Sequence, residues 1–207
     1  ETLFARSAGI YPGGKGLNQA IAARRLGTET TLIANMGDDL FGHYLLELLR
    51  GEGVDTRYVA RDAANGTGFA APVVFDDGEN SILSAPQANL ALQTALVEAA
   101  REAIAAAGAL LLQFEAPMEA NIVAARIARA AGTRVVLNPA PVVAHPPELL
   151  ALADVLVVNE VEAAMLAGGT HPAAQARTLL GGRELAVVTL GEQGAVFATA
   201  SGEAGVV

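Results

Sequence analysis

The sequence contains no cysteine and no tryptophan, and aromatic residues fill only 4% of its 207 positions. Without thiols it can build no disulfide, thiolate nucleophile or cysteine-based metal site. Cations are also scarce: 13 Lys and Arg stand against 22 Asp and Glu, a net charge of −9, and no basic run interrupts that balance. Nucleic-acid binding needs clustered Lys and Arg, so the composition argues against it, and against an anionic membrane surface for the same reason. No apolar run reaches membrane-spanning length, and no signal peptide opens the chain. The lack of cysteine accords with a cytoplasmic location. An anionic ligand would have to be held by local devices: a lone Lys, loop N–H groups or helix N-termini.

What the sequence has in quantity is apolar surface, with 52% hydrophobic residues. Ala, Gly, Leu and Val dominate, which suits Ala-rich helices packed on a Val/Leu sheet. The length fits one large domain with a small appendage. A Gly-rich break at 12–14 leads into a helix whose apolar face is Leu17, Ala20 and Ile21. A β-branched run over 30–36 predicts a buried strand. Phe41, Leu45, Leu48 and Leu49 then recur at helical spacing. Residues 54–83 differ, with short strand-like runs separated by Asn65-Gly66 and Asp76-Asp77-Gly78 turns and no helical period. They predict an antiparallel patch apart from the main sheet, which residues 1–10 could join. From Leu92 onward helix and strand alternate strictly, with strands at 109–114, 134–137, 155–158 and 185–190 and a hairpin strand at 195–200. Short apolar runs joined by amphipathic helices predict an α/β fold, a mostly parallel sheet with helices on both faces. In such sheets ligands bind at the carboxyl ends of strands.

Several of those ends carry polar residues. Gly13-Gly14-Lys15-Gly16-Leu17-Asn18-Gln19 places glycines before a helix and puts Lys15 and Asn18 three apart on its first turn, sharing a face. It lacks the order of a Walker loop, and a Gly-rich turn capping an ordinary helix accounts for it equally well. Glu115 follows the strand at 109–114, where a helix N-terminal carboxylate is also expected from the dipole. Asn138-Pro139-Ala140-Pro141 follows the next strand and reads equally as a rigid turn. Asn159 and Glu162 have the spacing of a capping box, or of a carboxylate that could reach a magnesium ion through water. Thr189-Leu190-Gly191-Glu192-Gln193-Gly194 supplies turn glycines, or a floor for a flat ligand. Asp38 and Asp39 read as helix cap and first-turn acid. His43, His145 and His171 are scattered and read as surface residues. A Gly-x-Gly-x-x-Gly element after a full strand, as a dinucleotide-binding dehydrogenase needs, is not met.

Taken in order, these motifs resemble the ribokinase-like family of carbohydrate kinases. Pro12-Gly13-Gly14-Lys15-Gly16-Leu17-Asn18-Gln19-Ala20 is similar to the family's first signature. Gly37-Asp38-Asp39 with Phe41-Gly42, Asn65-Gly66-Thr67-Gly68, Gln113-Phe114-Glu115, Asn138-Pro139-Ala140-Pro141, Asn159-Glu160-Val161-Glu162 and Thr189-Leu190-Gly191-Glu192-Gln193-Gly194 follow in family order. The resemblance implies ATP-dependent phosphorylation of a sugar hydroxyl, and within the family the first and fifth of these motifs point to D-ribose. It implies that Gly14, Lys15, Asn18 and Glu115 hold the sugar. Asn159 would approach the phosphates, Glu162 would order water on Mg2+, and Thr189, Gly191 and Gly194 would line the nucleotide site. A monovalent cation such as K+ can accompany these.

It further implies a β lid, residues 1–12 and 54–84, over an α/β core, residues 13–53 and 85–207. Two subunits would pair through that lid as a homodimer. Two family pieces are not found in residues 1–207. One is an opening strand with an Asn and an Asp for the sugar, expected before Glu1. The other is a Gly-Ala-Gly-Asp-like motif, expected beyond Val207, whose Asp would be the general base. The core is therefore expected to be incomplete at its C-terminus, and residues 1–207 alone to lack catalysis. A smaller departure is Ala85-Pro86-Gln87-Ala88-Asn89, where the family often shows Gly-Ala-Asn. Other readings are a kinase of the same family for another sugar, a sugar acid (Arg57 and Arg61 lie near the lid) or a nucleoside, or a degenerate sugar-binding module.

Overall fold

The computed structural model describes residues 7–75 and 80–207. Its largest sheet has six strands in the order β10-β9-β8-β7-β6-β5. The strands β5 (Ala109–Gln113), β6 (Arg134–Asn138), β7 (Val155–Asn159) and β8 (Leu185–Thr189) run parallel, and β9 (Ala195–Thr199) and β10 (Ala204–Val206) add antiparallel to one side. The four parallel strands share one grammar: apolar residues in the middle and a polar residue at the end. One face of the central strands is closed by core packing, while Val136, Val157 and Val187 on the opposite face are half-buried. Val135, Leu137, Leu156, Val158, Ala186 and Val188 are all within 1% of complete burial.

Helices α3 (Thr94–Ala99), α4 (Arg101–Ala106), α5 (Met118–Ala131), α6 (Pro147–Ala151), α7 (Glu160–Ala167) and α8 (Pro172–Leu180) connect and flank these strands. The result is a three-layer α/β fold with a mostly parallel central sheet and a small antiparallel sheet. In α5, Ala120, Ala124, Ala125 and Ala128 are buried, and small side chains at that spacing let its backbone lie close to the neighbouring elements. The single helix expected over 92–107 is two, because the chain leaves helical geometry at the fully buried Ala100, and both halves lie on α5.

Helix α1 (Lys15–Arg25), β1 (Thr31–Gly37) and α2 (Leu40–Gly51) precede this unit and share a second apolar cluster of Leu17, Ala20, Met36, Leu46, Leu49 and Val54. The stretch expected to be an antiparallel patch divides in two. β3 (Phe69–Val74) and β4 (Asn80–Ala85) do form an antiparallel hairpin, but β2 (Asp55–Asp62) pairs in parallel with β1. That corrects the expectation for 55–62. Ile33 of β1 and Tyr58 of β2 pack against the main core, and this long-range packing is invisible in local periodicity. Of the opening segment expected as a strand, residues 1–6 lie outside the described residues, and 7–10 take no regular structure. Among the described residues, no helix is long and apolar enough to cross a membrane.

Candidate active site

A cleft of about 2870 Å3 runs between β1 and β5, past the N-terminus of α1 and under the β3–β4 hairpin. Gly14, Gly16, Gln19, Asn35, Gln113 and Glu115 line part of it.

Helix α1 begins without the usual devices. Its N-cap is Gly14, at φ 103°, which offers no side-chain acceptor, and its first turn holds no acidic residue. The first helical N–H groups therefore need an acceptor from elsewhere. Glu115, just past the end of β5, supplies it: Lys15 N–H donates to Glu115 Oε2 at 2.9 Å. The same carboxylate lies 3.9 Å from Lys15 Nζ through Oε1. A carboxylate at the positive end of α1 is also favoured by the helix dipole. A second link fixes the approach of the helix to the strand, with Gln113 Nε2 donating to Gln19 Oε1 at 2.5 Å. Asn121, buried on α5, donates to the Gln113 carbonyl at 2.7 Å and holds the strand end from behind. The structure thus brings Gly14, Lys15 and Glu115 together. Asn18 stands exposed one turn along the same helix, its N–H donating to Gly14 O at 2.9 Å.

The second group forms at β7 and β8. Asn159 and Glu162 make the full capping box of α7: Glu162 N–H donates to Asn159 Oδ1 at 2.8 Å, and Asn159 N–H to Glu162 Oε2 at 2.9 Å. The local reading of this motif is therefore realised, and one carboxylate oxygen of Glu162 is engaged in it. Asn159 and Thr189 are register partners across β7 and β8, and the Thr189 hydroxyl donates to Val158 O at 3.3 Å. Gly191 and Gly194 both take positive φ, 57° and 87°. At Gly194 a Cβ would fall 1.9 Å from the Val207 carbonyl oxygen, so close backbone approach alone demands glycine there. Between the two groups, Asn138 turns inward, its Nδ2 donating to Val157 O at 2.9 Å, and Ala140 O receives Phe114 N–H at 3.1 Å. This motif is occupied with joining β5, β6 and β7. Both polar groups lie at the carboxyl edge of one sheet. Strand spacing puts them roughly 10–15 Å apart.

Sequence reasoning missed a third cluster beside the cleft. Asp39 caps α2 by accepting Gly42 N–H at 2.8 Å, as expected. It also accepts the Thr67 N–H and the Thr67 hydroxyl, both at 2.7 Å. The Gly42 N–H, then the Thr67 hydroxyl and N–H, hold the Asp39 carboxyl down at about 2. Asn35, a polar residue inside the apolar run of β1, donates to Ala88 O at 2.9 Å. That lone Asn was the available signal, whereas nothing local marks Thr67 as the partner of Asp39. Of the histidines, His43 and His171 are exposed as expected. His145 is half-buried, its ring 5.2 Å from that of Phe114. Among the described residues, no cluster of three His, Asp or Glu could itself hold a metal ion.

Known proteins share both the sequence and the shape. The model of the pfkB family of carbohydrate kinases matches residues 4–207. The ribokinase of Staphylococcus aureus is 39% identical over 206 residues, covering 96% of this chain and 68% of the relative. That of Haemophilus influenzae is 37% identical over 213 residues, covering 100% and 69%. The structure of Arabidopsis thaliana ribokinase complexed with ribose and ATP superposes with a TM-score of 0.91 at 30% identity, over 100% of this chain and 70% of that one. A parallel sheet with polar strand ends, a helix N-terminus docked on one of them, and similarity along nearly the whole chain agree, and the chain belongs to the pfkB family of carbohydrate kinases, which are sugar-phosphorylating transferases.

Proposed function

We propose that the protein phosphorylates D-ribose with ATP, giving ribose 5-phosphate and ADP. The observation that carries this reading is the docking of the α1 N-terminus on Glu115, which sets Lys15 against the Glu115 carboxylate beside Gly14 of the cleft wall, with Asn18 one turn away. A neutral polyol is recognised by directional hydrogen bonds to its hydroxyls. Lys15 and Asn18 supply donors, Glu115 an anionic acceptor, and Gly14 lets the sugar approach the backbone. Arg57 and Arg61, which could have read a sugar acid, already face Asp55 at 2.7 Å and Asp38 at 2.6 Å. This pairing favours a neutral sugar.

Asn159, Thr189, Gly191 and Gly194 take the nucleotide, with its phosphates directed toward the sugar along the strand ends. In the reaction a sugar hydroxyl oxygen forms a bond to the γ-phosphorus as the bond to ADP breaks. Catalysis of such a step is mostly positioning and charge stabilisation. Mg2+ would neutralise charge on the phosphates, and Glu162 fits a role in holding its water, because its carboxylate uses only Oε2 for Asn159 N–H. The hydroxyl proton leaves to a base that is none of the residues named here. K+ as an activator rests on the family resemblance.

The hairpin β3–β4 serves as a lid that keeps water from the phosphates. Its apolar faces are exposed, with Phe69, Val74, Ile82 and Leu83 between 53% and 74% accessible. Its free strand edges suit pairing with a second copy, giving a homodimer. A cytoplasmic location fits the absence of cysteine. Calorimetric titration with ribose, using fructose and a nucleoside as controls, tests the assignment. Ribose should bind, and Lys15→Ala should abolish the heat. Preference for another sugar, or binding indifferent to Lys15, would overturn it.

A further inference from the structure

The β3–β4 hairpin is exposed along its length, yet its two legs return to one tightly bonded root. On the entering leg Thr67 is only 5% accessible and is held by Asp39. On the returning leg Ala88 is fully buried, its N–H donating to Gly66 O at 3.0 Å. Gln87 lies between these anchors. It is the one non-glycine residue with positive φ among the described residues, at 42°. An L side chain is disfavoured there, and such a conformation persists only where surrounding contacts over-determine it. A glycine would adopt it freely.

What glycine could not supply is a bond between the legs. The Gln87 side chain crosses the root, and its Nε2 donates to the Thr67 carbonyl at 3.0 Å. Its amide lies against Gly66, where a Cβ would come within 2.7 Å of Gln87 Oε1. Thr67, Gly68, Pro86 and Asn89 line the cleft, but Gln87 does not. A strained residue therefore cross-links two segments that form part of the cleft wall.

We infer that Gln87 is a positioning residue: its side-chain amide ties the two legs of the hairpin at their root and so sets how the hairpin stands over the sugar end of the cleft. The inference rests on reading that cleft as the sugar site. Gln87 acts through Thr67 rather than by touching substrate. If the tie is cut, the hairpin loosens, sugar is held less firmly, and water gains access to the γ-phosphoryl group. Its oxygen then forms the bond to phosphorus as the bond to ADP breaks, giving ADP and inorganic phosphate.

Three substitutions separate the tie from the strain. Gln87→Glu keeps size and conformation but presents only acceptors to the Thr67 carbonyl. Gln87→Ala removes the tie and keeps the strain, while Gln87→Gly removes both. Hydrogen exchange at the hairpin amides should speed up roughly five-fold in all three, the scale of one lost hydrogen bond. The KM for ribose should rise by a similar factor with kcat little changed, and ATP hydrolysis without sugar should increase. The glycine variant should melt about 2–4 °C above the alanine variant. Unchanged hairpin exchange in Gln87→Glu and Gln87→Gly would overturn the inference. So would faster exchange with KM and hydrolysis unmoved, since Gln87 would then be structural only. A wild-type protein that ignores ribose would sink the proposed substrate instead, and exchange would still decide whether the amide ties the legs.

Discussion

Asp39→Ala removes one acceptor that serves three donors. Asp39 receives Gly42 N–H at 2.8 Å, and Thr67 N–H and Oγ1 at 2.7 Å each. Losing the N-cap of α2 costs about 1 kcal/mol. Leaving the donors of the buried Thr67 without a partner costs about 1–3 kcal/mol more. The sum, about 2–4 kcal/mol, should lower the melting temperature by about 5–15 °C for a chain of this size. Part of this depends on charge. The Asp39 carboxyl is held at about 2 against an ordinary 3.8. A depressed carboxyl contributes stability that is fully present above its unfolded value and is lost as pH falls through the folded one. The window is therefore about pH 4 down to about pH 2. The full linkage value is about 2 kcal/mol, and screening at this partly exposed site reduces it to about 1–2 kcal/mol. Thermal unfolding of wild type and Asp39→Ala across that range measures it, because carboxyls common to both proteins cancel. The gap should be widest near neutrality and narrow below about pH 4. A gap independent of pH would refute the claim that the ionised carboxylate holds Thr67.

Glu115→Gln should weaken ribose binding by about 10- to 100-fold, the scale of a charged hydrogen bond, while stability falls by no more than about 1 kcal/mol because the pair with Lys15 is exposed; titration calorimetry and urea unfolding read the two effects. Gly37→Ala should destabilise by more than about 2 kcal/mol in urea unfolding, since a Cβ there would stand 2.3 Å from Thr67 N, a backbone atom that cannot swing away. Arg183→Met should cost about 1–3 kcal/mol by the same assay, because the guanidinium donates to Leu179 O at 2.8 Å and Leu150 O at 2.7 Å, at the ends of two helices. Burial lowers the Arg183 pKa, so its charge is retained against a desolvation cost that those carbonyls offset.

The parallel core was legible from residues alone. Each of β5 to β8 is a five-residue run ending in Gln113, Asn138, Asn159 or Thr189, and helices α5 and α8 between them carry apolar faces at the proper period. The capping box of Asn159 and Glu162 was equally local and formed as spaced. The parallel partner of β2 was not legible, because a strand's own pattern does not encode its neighbour's direction. Nor was the break at Ala100, where burial against α5 overrides a continuous helical pattern.

The site divides in the same way. Local sequence determined that a glycine turn would open α1, that Lys15 and Asn18 would share its first turn, and that Glu115 would follow β5. Only the tertiary structure decided that α1, whose Gly14 N-cap has no side-chain acceptor, would take one from a residue 100 positions away. It likewise decided that Asp39 would reach Thr67 and that Gln87 would be held at a φ suited to glycine. Capping spacing, turn residues and apolar period act within a few residues and can be read along the chain. An unsatisfied N–H or a strained φ is resolved by whichever group the fold brings near, and that choice exists only in three dimensions.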